Sequence, residues 1–297
     1  MTLHPNPTLT VITPTYNRAH LIERVFKSLL SQTEKSFEWI IVDDGSLDNT
    51  QQIVLNWVDR APFPITYVRQ QNQGKPSAYN HAVNLARGQF LTCVDSDDWL
   101  PSNGVENRIR LMQLYKDECE ICGITGLAEN PHGALIGHAF PKDGIIGSKQ
   151  LLNRLAPGDK PTTFKTSVLK KFPFPQYPNE KFLPESIIYN RMFQSGYKFA
   201  ASNEVLTIVE YQPDGLSDSA LVLRMRSLNG TLMYYHEMSL IDFPSWLKVK
   251  AQSNLVRYTL HKLGPRNYLV GLFIFTIAFP VGLLYYLMDK MRMCGKS

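Results

Sequence analysis

The chain has 297 residues, 44% of them hydrophobic and 19% charged, with 18 Gly and 19 Pro. That composition excludes disordered, collagen-like and coiled-coil chains and leaves enough apolar material for a sizeable core. The net charge of +5 is unevenly placed: residues 248–297 carry +7 and the first 247 carry −2, so the main body is not expected to bind nucleic acid.

In chain order, Leu9 to Thr13 reads as a short buried strand, and Ile22, Val25, Phe26, Leu29 and Leu30 fall on one face of the helix that follows. Trp39 to Val42 is a second strand. Asp48 caps a helix over Asn49 to Val58, and Ile65 to Arg69 is a third strand. Pro76 suits the first turn of a helix through Ala86, and Phe90 to Val94 is a fourth strand. A helix near Val105 to Tyr115 leads to Ile121 to Gly126. Apolar strands spaced by helices predict an α/β fold with a mostly parallel central sheet covered on both faces, with ligands beyond the carboxyl ends of the strands. The second half is less regular. Asn130 to Pro161 reads as loop, Ser186 to Ser195 as helix, Val205 to Tyr211 as strand, and Ser219 to Met238 as one long helix interrupted only at Gly230.

The strongest chemical signal is Cys93-Val94-Asp95-Ser96-Asp97-Asp98-Trp99, directly after an apolar strand. Three carboxylates in four residues repel one another unless a cation or donors offset them, and Mg²⁺ or Mn²⁺ suits such oxygen ligands while leaving places for phosphates. An acidic loop capping the next helix is the alternative. A second acidic strand end, Asp43-Asp44-Gly45-Ser46, should lie on the same sheet edge, where one carboxylate can accept from a base N–H. Thr13-Pro14-Thr15-Tyr16-Asn17 follows the first strand and offers backbone and a ring to a nucleobase. In Gly74-Lys75-Pro76, the glycine permits close approach and Lys75 can meet a phosphate.

In this order and spacing, the four segments from about Leu9 to Leu100 resemble the nucleotide-sugar-binding half of the family 2 glycosyltransferases, which have the GT-A fold. The resemblance implies that Thr13, Pro14, Thr15, Tyr16 and Asp44 contact the base, usually uracil. It implies that Asp95 and Asp97 bind ribose, diphosphate and metal, with Asp97 the more direct ligand, and Asp98 and Lys75 beside the donor. The chain departs from the family at Ala78-Tyr79-Asn80, where Ala-Arg-Asn is common. Glu180 to Ser186 resembles the segment that carries the family's base; Glu185 is the matching acid and Ser186 replaces the usual second acid. A structural cap on the helix it precedes is the alternative role for Glu185. Gly158-Asp159-Lys160 and Asp214-Gly215-Leu216-Ser217 resemble a capsule or exopolysaccharide branch.

The expected organisation is a nucleotide-sugar-binding half (1–130), an acceptor and catalytic half (131–218), a helical extension (219–266) and a membrane-associating tail (267–297). The expected reaction is inverting transfer, with Mn²⁺ or Mg²⁺, from a nucleotide-diphospho-sugar to a hydroxyl of a lipid-linked or growing saccharide. A sugar nucleotidyltransferase is the rival enzyme, although Thr13 to Asn17 lacks its Gly-rich loop; a non-catalytic nucleotide-sugar-binding module is the rival from another class. Cys119 and Cys122 have no second pair at metal spacing and read as reduced thiols, Tyr234 and Tyr235 as packing residues, and His138 as a minor candidate for the diphosphate or metal.

Tyr268 to Met288 has no charge over 21 residues, long enough to cross a bilayer, yet Pro280 and Gly282 interrupt it and cations flank both ends. Four scattered cysteines and the polar segment Met1 to Thr10 read as cytoplasmic. The expectation is a cytoplasmic protein attached to the inner face of the cell membrane through an anionic lipid surface; a single span, or a buried hairpin or dimer contact, are the alternatives.

Overall fold

A computed structural model describes residues 6–212, 220–241, 245–263 and 278–294. The tail segment 268–277 and the Asp214 to Ser217 motif lie outside the described residues. The chain divides into two compact units, Met1–Phe174 with Arg191–Gly215, and Pro175–Asn190 with Leu216–Ser297.

The first unit is built on β1 (Leu9–Thr15), β2 (Phe37–Asp43), β3 (Ile65–Arg69), β4 (Phe90–Cys93), β5 (Ile121–Glu129), β6 (Ile146–Gly147), β7 (Thr162–Lys165) and β8 (Lys198–Ile208). They form one sheet in the order β3-β2-β1-β4-β7-β5-β8-β6. β3, β2, β1 and β4 are mutually parallel, as are β5 and β8; β7 enters antiparallel between β4 and β5, and β6 is antiparallel to β8. The helices of this unit are α1 (Ile22–Leu30), α2 (Thr50–Val58), α3 (Lys75–Leu85), α4 (Gly104–Gln113), α5 (Lys149–Leu155) and α6 (Thr166–Leu169).

β1 and β2 are buried along their whole lengths, as strands covered on both faces must be. Trp39 is fully buried, with Phe26 stacked on Trp57 at 4.4 Å beside it. Its indole Nε1 donates to Thr13 Oγ1 at 2.9 Å, so this large ring is anchored at its polar end as well. Truncating such a residue to Ala costs about 3–5 kcal/mol.

Three expectations need correction. The stretch 130–161 is not only loop: it contains β6 and α5, the latter capped by Ser148, whose hydroxyl accepts from Leu151 N. β8 begins at Lys198, seven residues before the expected start, because Lys198 to Ala201 already pair with β5, and the polar run Ser202 to Glu204 falls at the register shift before pairing resumes at Val205. The helix expected over Ser219 to Met238 is two helices, α8 (Ala220–Arg226) and α9 (Leu228–Leu240), broken at Ser227 and not at Gly230.

The second unit holds α8, α9, α10 (Ser245–Leu263) and α11 (Ala278–Cys294), with α7 (Ser186–Gln194) beginning in it. Gly230 lies inside α9, and a Cβ there would meet Leu183 Cδ2 at 2.8 Å, so the close approach calls for glycine at this position. Its N–H and that of Asn229 donate to the Glu180 carboxylate, both at 2.8 Å, so an anion satisfies the exposed donors of this helix start. Among the described residues no helix is long and apolar enough to cross a membrane.

Candidate active site

Because β1, β2, β3 and β4 run parallel, their carboxyl ends share one edge of the sheet. Thr15 pairs with Asp43 and Asp43 with Arg69, while Val94 N donates to Ile12 O and brings the end of β4 alongside. The expected donor-site segments therefore emerge together.

Thr13 lies wholly inside. Its hydroxyl donates to Val94 O and accepts from Trp39 Nε1, both at 2.9 Å, so its side chain aligns β1 with β2 and β4. Pro14 is buried too. Thr15 is 4% exposed and its Oγ1 has no partner, a buried polar atom at the strand end, and Tyr16 is 43% exposed. Asn17 takes a positive φ of 52°, which Asn tolerates, and ties two loops together: its N–H donates to Ser46 Oγ and its Oδ1 accepts from Leu47 N.

Asp43 and Asp44 do different work. Asp43 accepts from Ser46 N and from Tyr67 OH, both at 2.7 Å. Asp44 accepts from Gln70 Nε2 and Gln73 N on one oxygen and from Gly74 N, at 2.7 Å, on the other. Three donors shape the turn before α3, leaving room for about one further donor on the carboxylate. Gly74, at φ +91°, completes that turn, and Lys75 begins α3 with its Nζ 2.7 Å from Asp95 Oδ2.

Asp95, Asp97 and Asp98 each present an oxygen within 4.8 Å of the others. Burial, and then the charges of Asp95 and Asp97, push the Asp98 carboxyl up to about 8. Burial, and then Asp95, raise that of Asp97. Buried carboxyls crowded against one another form a donor set that a hard divalent cation fits, since the cation offsets the negative charge that burial and mutual repulsion disfavour.

Several residues that sequence reasoning missed complete this edge. Trp99 and Ile208 exchange backbone hydrogen bonds of 3.0 and 2.8 Å, which lays the end of β8 against the acidic loop. Arg24 pairs with Glu210 and lies 5.6 Å from the Trp99 ring centroid. Tyr211 OH donates to Asp159 Oδ2 at 2.6 Å, which anchors the Gly158-Asp159-Lys160 segment; only the family resemblance of that segment hinted at a role. Arg108, fully buried without a carboxylate, donates to Gly104 O, Leu206 O and the hydroxyls of Thr92 and Thr207, bracing β4 against β8. Burial pulls its guanidinium down to about 9.

Glu185 belongs to the second unit, exposed, with its carbonyl accepting from Ile188 N as α7 begins. Ser186 Oγ and Tyr234 OH lie 3.0 Å apart. Tyr79, where an arginine is common, is buried and meets Phe174 edge-on at 5.2 Å, and Asn80 brackets the Phe174 backbone through its carboxamide. His138 is exposed. Cys119 and Cys122 are free thiols, Cys122 pushed up to about 12 by burial.

Comparisons with known proteins agree with this geometry. Residues 10–172 match the model of glycosyl transferase family 2. The chain is 34% identical over 139 residues to the chondroitin synthase of Pasteurella multocida, covering 46% of this chain and 14% of that one. It is 32% identical over 194 residues to the GalNAc(5)-diNAcBac-PP-undecaprenol beta-1,3-glucosyltransferase of Campylobacter jejuni, covering 63% and 62%. The chain thus spans less than two thirds of either relative. Among solved structures, TarS 1-349 of S. aureus in complex with UDP-GlcNAc superposes with a TM-score of 0.62 at 18% identity, over 88% of this chain and 74% of that one. The mannosyltransferase PcManGT of Pyrobaculum calidifontis, in complex with GDP-Man and Mn2+, gives 0.57 at 19% identity, over 94% and 74%. These show the α/β GT-A fold. With more than half its length matched by the family model, and with the acidic strand ends that this model spans, the chain belongs to glycosyl transferase family 2.

Proposed function

We propose that the protein is an inverting glycosyltransferase that moves a sugar from a nucleotide diphosphate, a UDP-sugar, to a hydroxyl of a lipid-linked or growing surface saccharide. The observation that carries this reading is the Asp95, Asp97 and Asp98 cluster beside Lys75, at the edge where Thr15, Tyr16 and Asp44 also end. The relatives named as acting on chondroitin and on an undecaprenol-linked saccharide support the acceptor class.

In this reading Thr15, Tyr16 and the remaining acceptor position of Asp44 meet the base, and Lys75 exchanges Asp95 for the diphosphate. Asp97, with Asp95, would hold Mn²⁺ or Mg²⁺, which when bound supplies positive charge to the departing diphosphate. The acceptor oxygen attacks the anomeric carbon from the face opposite the diphosphate and forms the new C–O bond. The bond to the diphosphate oxygen breaks with its electron pair, and the acceptor proton passes to the Glu185 carboxylate. Residues 1–130 would bind the donor and 131–218 the acceptor, with the carboxyl-terminal tail holding the protein on the cytoplasmic face of a membrane.

Incubation with a panel of UDP- and GDP-sugars and Mn²⁺ tests the reading. Release of nucleoside diphosphate from one or a few donors is expected. Pyrophosphate exchange into nucleoside triphosphate would identify a nucleotidyltransferase, and tight donor binding without release would leave a binding module.

A further inference from the structure

α11 turns a narrow face inward. Gly282, Tyr286 and Asp289, four and three residues apart, are buried. A Cβ on Gly282 would sit 2.5 Å from Ser253 O and 2.7 Å from Val256 Cβ, and Asp289 accepts from Arg257 through both oxygens and lies 3.0 Å from His261 Nε2. These contacts advance in the same sense along both helices, so α10 and α11 pack side by side in parallel. The opposite face is apolar and open: Val281 is 36% exposed, Leu284 55%, Leu287 49% and Met291 67%. At ~100° per residue these four fall on one stripe, and water wets large apolar side chains on it that a packed helix would bury.

Charge decides what covers that stripe. Asp289 is the sole acid between residues 248 and 297, and it is 1% exposed and paired with Arg257. The outward side chains of α11 among the described residues therefore include the exposed cations Lys290 and Arg292 and no anion. A second copy of this chain meeting the same face across a two-fold axis would bring those cations toward their own counterparts. An anionic lipid surface complements both features, taking the apolar stripe into the acyl boundary and the cations onto lipid phosphates. The uncharged sequence from Tyr268 onward continues into this helix.

We infer that the face of α11 bearing Val281, Leu284, Leu287 and Met291, with Lys290 and Arg292, lies in the headgroup boundary of an anionic membrane. This rests on the membrane-attachment part of the proposed function and not on the reaction.

Co-sedimentation of the full chain with vesicles of phosphatidylcholine, with or without phosphatidylglycerol, tests it. The wild-type protein should pellet with the anionic vesicles and only weakly with the neutral ones. L284Q/L287Q should lower binding to both by at least about 10-fold. K290Q/R292Q should lower binding to anionic vesicles by about 30-fold and leave the neutral ones unchanged. Donor hydrolysis should be unaltered in both variants, and a wild-type chain that binds anionic vesicles but hydrolyses no donor would sink the enzyme reading and not this one. Wild-type protein that stays in the supernatant overturns the inference. So does a dimer, by light scattering, that L284Q/L287Q converts to monomer without change in vesicle binding. If L284Q/L287Q loses its helical circular dichroism, the exposed pair K290Q/R292Q carries the test.

Discussion

The Asp44 carboxylate accepts from Gly74 N at 2.7 Å and thereby sets where Lys75 begins α3. The chain of dependence runs from the end of β2, through the turn, to the ammonium that meets Asp95 at 2.7 Å. Adding a Cβ to Gly74 works against this at its φ of +91°, where L-residues are strained by about 1–3 kcal/mol. Gly74→Ala should lower the melting temperature and raise the donor KM more than it lowers kcat. Equal KM values in wild type and variant would separate the turn from the donor site.

The acidic cluster predicts a pH dependence of stability. Asp98 has its carboxyl pushed up to about 8 from 3.8, so across that window the folded chain binds a proton that the unfolded chain has lost. The contribution is full at low pH and disappears as pH rises through about 8. In EDTA, Asp98→Asn should therefore flatten the fall in melting temperature expected of the wild type as pH rises from about 6 to about 9. Mn²⁺ should restore more stability at the upper end of that range than at the lower, with proton release on calorimetric titration. A metal effect that is the same at both ends would contradict the reading of this cluster.

Glu185→Gln keeps size and much of the hydrogen bonding and removes the basic site. General-base catalysis contributes typically ~10²- to 10⁴-fold, so kcat should fall by about that factor while donor affinity holds. An unaltered kcat would leave Glu185 with only its place at the start of α7.

Arg108 is predicted to hold β4 to β8 behind the acidic loop. Arg108→Ala leaves two buried carbonyls and two hydroxyls without their donor and opens a cavity, for a loss of about 3–5 kcal/mol in denaturant unfolding. Arg108→Met fills the space without a charge to desolvate and should lose less than half as much. Equal losses for Ala and Met would mean that the polar anchors dominate over packing.

Much of the donor half was legible in the sequence because each local signal is short-range. An apolar run such as Trp39 to Val42 ends at Asp43, and Phe90 to Cys93 ends just before Asp95, so strand and site are read in one stretch. β7 was not legible. Its Thr162 to Lys165 carries little apolar pattern, and it is a strand because β4 and β5, distant in sequence, offer it both edges. The first part of β8 was hidden for the same reason. The meeting of Trp99 with Ile208, and of Asp159 with Tyr211, likewise depends on pairings more than fifty residues apart, which no local spacing encodes. Ser227 splits the helix expected over 219–238, whereas Gly230, the stronger sequence signal for a break, is held inside α9 by Glu180 and by the close approach of Leu183.

The Asp95, Asp97 and Asp98 edge is proposed to bind a nucleotide-sugar together with a divalent cation. Calorimetric titration of UDP into the wild type and into Asp97→Asn, each with Mn²⁺ and with EDTA, tests it most directly. The wild type should bind UDP with Mn²⁺ and lose at least about 10-fold on chelation, and the Asp97→Asn variant should bind weakly whether or not Mn²⁺ is present. Equal affinity for UDP in all four titrations, with the variant folded, would contradict it.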